Sequence, residues 1–180
     1  SLLLRLLETL ERETPIRDLA LTPDEIAPLR GYQFLTAKPE LIVLNVGDRG
    51  SDRPEDHLDI RHRQTEMICL RGSLEMEIAQ LEPEEAELFL AGYGIAEPGL
   101  HRMIRLSYRL LGLHSFFPVG EDELRSWTLP GGATALEAAG AIHSDLARGF
   151  IRAEVVGYDD LVAAGSLDAA RKQGTLRLHG

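Results

Sequence analysis

The feature that most narrows what this chain can fold into is a run of four apolar residues with no alternation, Leu41-Ile42-Val43-Leu44. A strand with one wet face alternates apolar and polar side chains. A strand of a parallel sheet covered on both faces reads instead as a continuous apolar run. The run leads into Asn45-Val46-Gly47-Asp48. In doubly wound sheets, ligands lie beyond the carboxyl ends of the strands, so this loop is a candidate site. Met67-Ile68-Cys69-Leu70 is a second short buried strand, with Arg71-Gly72-Ser73 as its loop. Taken alone, Asn-x-x-Asp is a common loop sequence that turn chemistry explains without any ligand.

Helical signals surround these strands. Leucines at 2, 3, 6, 7 and 10 among Arg5, Glu8, Glu11 and Arg12 form an amphipathic stripe that Pro15 ends. Thr22-Pro23-Asp24-Glu25 carries a cap, a first-turn proline and the glutamate of a capping box. Residues 49–66 are charged and polar, which predicts a solvated loop and a helix from Asp56. His57 and His62 stand five apart, whereas ligands sharing a helix face stand three or four apart, so no metal site is expected there. Leu74 to Leu90 predicts an acidic amphipathic helix broken near Pro83, with Leu74, Ile78, Leu81, Leu88 and Phe89 as its apolar positions. A further helix runs from about Gly99 to Leu111, with Leu100, Ile104, Leu106, Tyr108 and Leu111 as its expected core contacts and Gly112 as its stop.

After residue 113 the pattern changes. His114–Phe117 and Arg125–Leu129 read as strands, Pro130-Gly131-Gly132 as a turn, and Thr134–Ile142 as a helix. Phe150 to Val156 suits a half-buried strand between Gly149 and Gly157. The Asp of Tyr158-Asp159-Asp160-Leu161 suits a helix cap, with Gly165 as the stop. His114, His143 and His179 are read as capping or surface residues rather than catalytic ones.

Composition limits the partners. The formal net charge of −10 repels phosphate backbones on average, so nucleic-acid contact would need a local patch, and no sequence-specific DNA binding is expected. The lone Cys69 admits no internal disulfide and suits a reducing compartment. Leu2-Leu3-Leu4, interrupted by Arg5, is too short for a signal sequence or a membrane span, so no membrane association and a cytoplasmic location are expected.

The segment from Leu124 to Gly180 contains RSWT, AAG, then IHSD at 142–145 followed by GFIRAEV at 149–155, YDDLV and a closing RLHG. It resembles, almost position for position, the carboxyl-terminal half of the YchF/Obg-like ATPase family, TRAFAC-class P-loop NTPases with a TGS domain. The resemblance covers nearly the whole chain. It implies an α/β fold: part of a helical-hairpin insert over residues 1–33, the carboxyl-terminal half of a P-loop-type parallel sheet domain over 34–112, and a ubiquitin-like β-grasp (TGS) domain over 113–180.

It also implies a base-reading role for the two loops, through Asn45, Val46 and Asp48 in the first and Arg71, Gly72 and Ser73 in the second. Asp48 stands where the family has Glu. A carboxylate accepts from guanine N1–H and N2–H but meets an acceptor at adenine N1, so the choice between ATP and GTP stays open. Ser73 replaces a lysine that would lie along the base. The family hydrolyses ATP or GTP and associates with ribosomes, which makes the ribosome the suspected partner of the TGS domain and helical arm. The oligomeric state stays open. No Gly-Lys pair of a phosphate loop occurs in the 180 residues, and both ends look cut. ATP or GTP with Mg²⁺ is therefore expected only where the phosphate-loop half is present. The chain alone is expected to be inactive, with no catalytic residue and no metal ligand of its own; the alternative is a non-catalytic interaction module that binds the ribosome or a protein.

Overall fold

The computed structural model describes residues 1–119 and 124–180. These form a mixed α/β structure of two compact units, Ser1–Leu111 and Gly112–Gly180.

In the first unit, strands β1 (Glu40–Asn45) and β2 (Thr65–Leu70) pair in parallel, with Glu40 opposite Thr65 and Asn45 opposite Leu70. Helix α1 (Leu2–Glu11) precedes them, followed by α2 (Pro23–Ile26) and short 3₁₀ turns. Beyond β2 come α3 (Gly72–Ile78), α4 (Pro83–Gly92) and α5 (Gly99–Leu110). Helix α5 lies on both strands and α3 touches α4. The core is built from Leu6, Ile16, Ile68, Cys69, Leu74 and Ile78.

The capping box at Thr22 forms as the sequence predicts. Thr22 Oγ1 accepts from the Glu25 amide, and Glu25 returns an acceptor to the Thr22 amide. The break near Pro83 also occurs, because a proline at the first helical position cannot continue α3.

Four expectations for this unit need correction. β1 is not covered on both faces: Val43 is 41% exposed, and the sheet has two strands among the described residues. No helix follows Asp56; a 3₁₀ turn over Pro54–Asp56 gives way to chain without helix or strand through residue 64. Leu88 and Phe89 of α4 are exposed rather than packed. Helix α5 is rotated from the phase expected: Leu100, Ile104 and Leu111 are 63%, 50% and 58% exposed, while Gly99, Met103 and Leu110 turn inward beside Leu106, which packs as expected. The cause lies at Gly99, where a Cβ would stand 2.4 Å from Leu70 Cδ2. The helix approaches the sheet through its glycine, and that contact sets its rotation.

The second unit contains β3 (Leu113–Phe116) antiparallel to β4 (Trp127–Pro130), and β5 (Ala153–Val155) antiparallel to β6 (Arg177–His179). Between them lie α6 (Ala135–Ile142), α7 (Ser144–Arg148), α8 (Tyr158–Ala164) and α9 (Leu167–Gln173). Thr134 and Glu137 close a second capping box, and His143 caps α7 by accepting from the Asp145 amide through Nδ1. Gly165 stops α8 in the left-handed region at φ +78°. The expected strand over 150–156 shortens to three residues, and Ile151 is fully outside it and exposed. Helix α8 starts at Tyr158 behind Gly157 with no side-chain cap, so neither Asp159 nor Asp160 plays the expected capping part.

Candidate nucleotide-base site

The parallel register brings the carboxyl ends of β1 and β2 to the same level, so the loops that follow them start side by side. Two hydrogen bonds join them. The Val46 amide donates to the Leu70 carbonyl at 2.8 Å, and the Gly72 amide donates to Asn45 Oδ1 at 3.1 Å. The second bond fixes Asn45 against the opening of α3. It needs a residue without a side chain at 72, since a Cβ there would stand 2.8 Å from Asn45 Oδ1.

The first loop then folds back on itself, the Gly50 amide donating to the Gly47 carbonyl at 2.7 Å. A Cβ at Gly50 would meet Val46 Cβ at 2.9 Å and the Gly47 carbonyl at 3.0 Å, so the turn closes only around a glycine. Asp48 stands exposed on this turn, and its carboxylate makes no hydrogen bond or ion pair among the described residues. Ser73 is exposed on the second loop.

Arg71 behaves differently from the other candidates. Its Nη2 pairs with Asp52 at 2.8 Å and its Nη1 donates to the Tyr93 carbonyl at 3.4 Å. The structure thus brings together Asn45, Val46, Gly72 and, through its backbone, Arg71. Asp48 and Ser73 carry polar groups open to solvent on the same two loops.

Several supporting residues carry no sequence signal. Arg17, with a side chain only 6% exposed, donates to Thr65 Oγ1, to the carbonyls of Thr36 and Lys38, and to Glu40. It ties the segment entering β1 to the start of β2. Asp18 accepts from the Arg63 amide and pairs with His62 Nδ1, both at 2.7 Å, which holds the chain between the strands. Burial pushes the Asp18 carboxyl up, but the Arg63 amide, the His62 bond and the His62 and Arg17 charges together carry it below its ordinary value. Glu75 of α3 accepts from the Gly99 amide and so fastens the start of α5. The Cys69 thiol is pushed up, chiefly by burial, and is a core residue without thiolate character. No group of three or more potential metal ligands occurs among the described residues, and no helix among them is long and apolar enough to cross a membrane.

Residues 113–180 match a family model described as "YchF-GTPase_C: Protein of unknown function (DUF933)". The whole chain aligns with proteins named "Ribosome-binding ATPase YchF". It is 42% identical over 185 residues to the one from Haemophilus ducreyi and 42% over 187 residues to the one from Bacillus subtilis, covering 100% of this chain and 51% of each relative. The chain therefore spans about half the length of the curated relatives it matches. Among solved structures, the Schizosaccharomyces pombe YchF GTPase matches with a TM-score of 0.81 at 26% identity, over 99% of this chain and 50% of that one.

Proposed function

From the premise that this chain belongs to the YchF family, we propose that it carries the base-reading part of a purine nucleotide site in a translation-associated nucleotide-binding protein. Asn45 and Gly72 form the frame of that site and Asp48 reads the base. β1 and β2 then belong to a P-loop-type doubly wound sheet, residues 1–33 to a helical arm, and residues 113–180 to a TGS domain with a β-grasp plan. ATP or GTP binding with Mg²⁺, hydrolysis and ribosome association are properties of the whole protein in this reading. The supporting observation is the Asn45–Gly72 hydrogen bond, which locks two loops at the carboxyl ends of parallel strands and leaves the Asp48 carboxylate open to a ligand.

The chain's own groups hold and select rather than react. A carboxylate at 48 accepts the two N–H donors on the Watson–Crick edge of guanine and repels the N1 acceptor of adenine. Phosphate contacts supply much of the affinity in P-loop proteins, so a base contact alone is weak. The test is a titration of the 180-residue chain with fluorescent ATP and GTP analogues, with and without Mg²⁺, beside a phosphate-release assay. Weak binding without release is expected, with the GTP analogue disfavoured in Asp48→Ala and the preference moved toward adenine in Asp48→Glu. An unchanged preference in both variants removes Asp48 from the site.

A second reading is a non-catalytic module that docks on the ribosome or on a protein. It is favoured by the apolar side chains that the second unit leaves in solvent, Ile151, Tyr158 and Val162 among them. Undiminished ribosome co-sedimentation by a chain that binds neither nucleotide would select it.

A further inference from the structure

Three consecutive residues at the end of β2 hold both ends of the first loop. The Leu70 carbonyl accepts from the Val46 amide, the Gly72 amide donates to Asn45 Oδ1, and Arg71 between them pairs through Nη2 with Asp52 at 2.8 Å. The two outer contacts hold the loop where it leaves β1. The Arg71 contact holds it where it returns, two residues beyond the Gly47–Gly50 turn and four beyond Asp48. The chain around Asp52 is itself tied: the Arg53 amide donates to Ser51 Oγ at 3.2 Å, and His57 Nε2 lies 3.0 Å from the Ser51 carbonyl.

Arg71 is placed to hold protein rather than to meet a ligand. Its side chain is 14% exposed, its Nε is buried, and its Nη1 donates at 3.4 Å to the carbonyl of Tyr93, which closes α4. The guanidinium is therefore anchored away from the loop it grips. Asp52 is the open partner, with its side chain half exposed. A carboxylate selects a base by where its two oxygens stand, because hydrogen bonds weaken steeply off line. A turn free to swing at its returning end would keep a negative charge near the base and lose the direction of its bonds.

We propose that Asp52 and Arg71 are a positioning pair for base selection: Arg71 clamps the returning end of the loop through Asp52, and the clamp sets the guanine-over-adenine preference of Asp48 while neither side chain touches the nucleotide. The role of the pair rests on the reading of Asp48 as the base-reading group. It moves the Arg71 side chain from the base contacts that the resemblance implies to the support of the loop.

The test uses the full 180-residue chain, the fluorescent ATP and GTP analogues, and amide hydrogen exchange without nucleotide. Asp52→Asn keeps the size and removes the charge at an exposed position, so folding is not at stake. It should speed exchange of the Gly50 amide, leave exchange at Ile68 unchanged, and lower the GTP-to-ATP affinity ratio about threefold, the order expected of a partly exposed ion pair. Asp52→Glu, which keeps the charge, should retain most of the ratio. Arg71→Met should lower the ratio as Asp52→Asn does, and the double variant should lower it no further, because both changes remove one contact. Wild-type Gly50 exchange in Asp52→Asn overturns the clamp, whatever nucleotide binding does. A ratio that Asp48→Ala abolishes and Asp52→Asn leaves unchanged overturns the selection role while the base-reading site stands. A ratio that Asp48→Ala leaves unchanged removes that site and the pair's role with it. Additive losses in the double variant mean that Arg71 meets the nucleotide itself, and overturn the assignment.

Discussion

The two units of this chain are held together in different ways. In the first, Ile68 at the centre of β2 is 1% exposed, and charged side chains reach across long stretches of sequence: Arg17 to Thr65, Asp18 to Arg63 and Glu75 to Gly99. In the second, most side chains that fix the structure act on near neighbours, with Arg171 reaching 17 residues back to Glu154. Thr134 and Glu137 cap α6, His143 caps α7 and Ser166 caps α9, while Leu129 and Ala170 are the buried apolar side chains among its described residues. Local capping shapes short helices without requiring a large core. The long-range bonds instead hold the two strands and the ends that carry the candidate site in one arrangement.

The largest expected break in this contrast comes from the core. Ile68→Ala should cost the first unit about 3–4 kcal/mol, and Leu129→Ala should cost the second about 2 kcal/mol, because the less enclosed site collapses more easily around the lost atoms. Trp127 is the only tryptophan and lies in β4, so its fluorescence during urea unfolding follows the second unit. Hydrogen exchange of the β1 and β2 amides follows the first. If Ile68→Ala moves the Trp127 midpoint as far as it moves the exchange, the units unfold as one and the contrast fails.

The next effect is polar. Arg17→Met removes four donations while keeping an apolar stem, and should cost about 2 kcal/mol. The loss should be concentrated in exchange at residues 36–40 and 65. A uniform loss over both units would mean that Arg17 acts by bulk rather than by bridging.

The smallest effect is pH-dependent and sharpens the same division. Asp18, Glu25 and Glu137 all have carboxyls held below their ordinary values, the last two chiefly by the amides of Thr22 and Thr134. A depressed carboxyl contributes stability that is present above its unfolded value and lost as pH falls through the folded one. These contributions should therefore be intact at neutral pH and decline below 3.8 for Asp18 and below 4.5 for the two glutamates. Asp18→Asn should flatten the acid dependence of exchange at Arg63 and leave α6 unchanged; Glu137→Gln should do the reverse. Acid curves that respond identically to the two variants would contradict the assignment.

This difference in reach also decides what can be read from the amino acids alone. The Thr22 capping box is legible because its partners stand three residues apart, in an order that few other arrangements explain, and the helix from Thr134 is read without the box that starts it. The parallel strands and their loops are legible from two apolar runs and their punctuation. The rotation of α5 is not. Its apolar positions mark a stripe, but the packed side is chosen by a glycine that meets Leu70, a contact 29 residues away with no periodic trace. The short β5 is misread for a related reason: Phe150 and Ile151 have strand character, but the ladder to β6 begins at Ala153. In the candidate site, the loop residues are identified by type and spacing, whereas the Arg17 and Glu75 anchors depend on partners that sequence order does not bring near.

The turn around Gly50 has one more consequence. Loops that bind ligands are often ordered only on binding, and that ordering weakens affinity and slows association. Here the Gly47–Gly50 and Asn45–Gly72 bonds hold the loop through the chain's own groups, so Asp48 stands on a turn that closes without any ligand contact. On the reading proposed above, recognition at this position should proceed as lock and key. Discrimination between bases would arise from the fixed location of one carboxylate, and a conservative lengthening of that side chain would relocate the acceptor instead of merely loosening it.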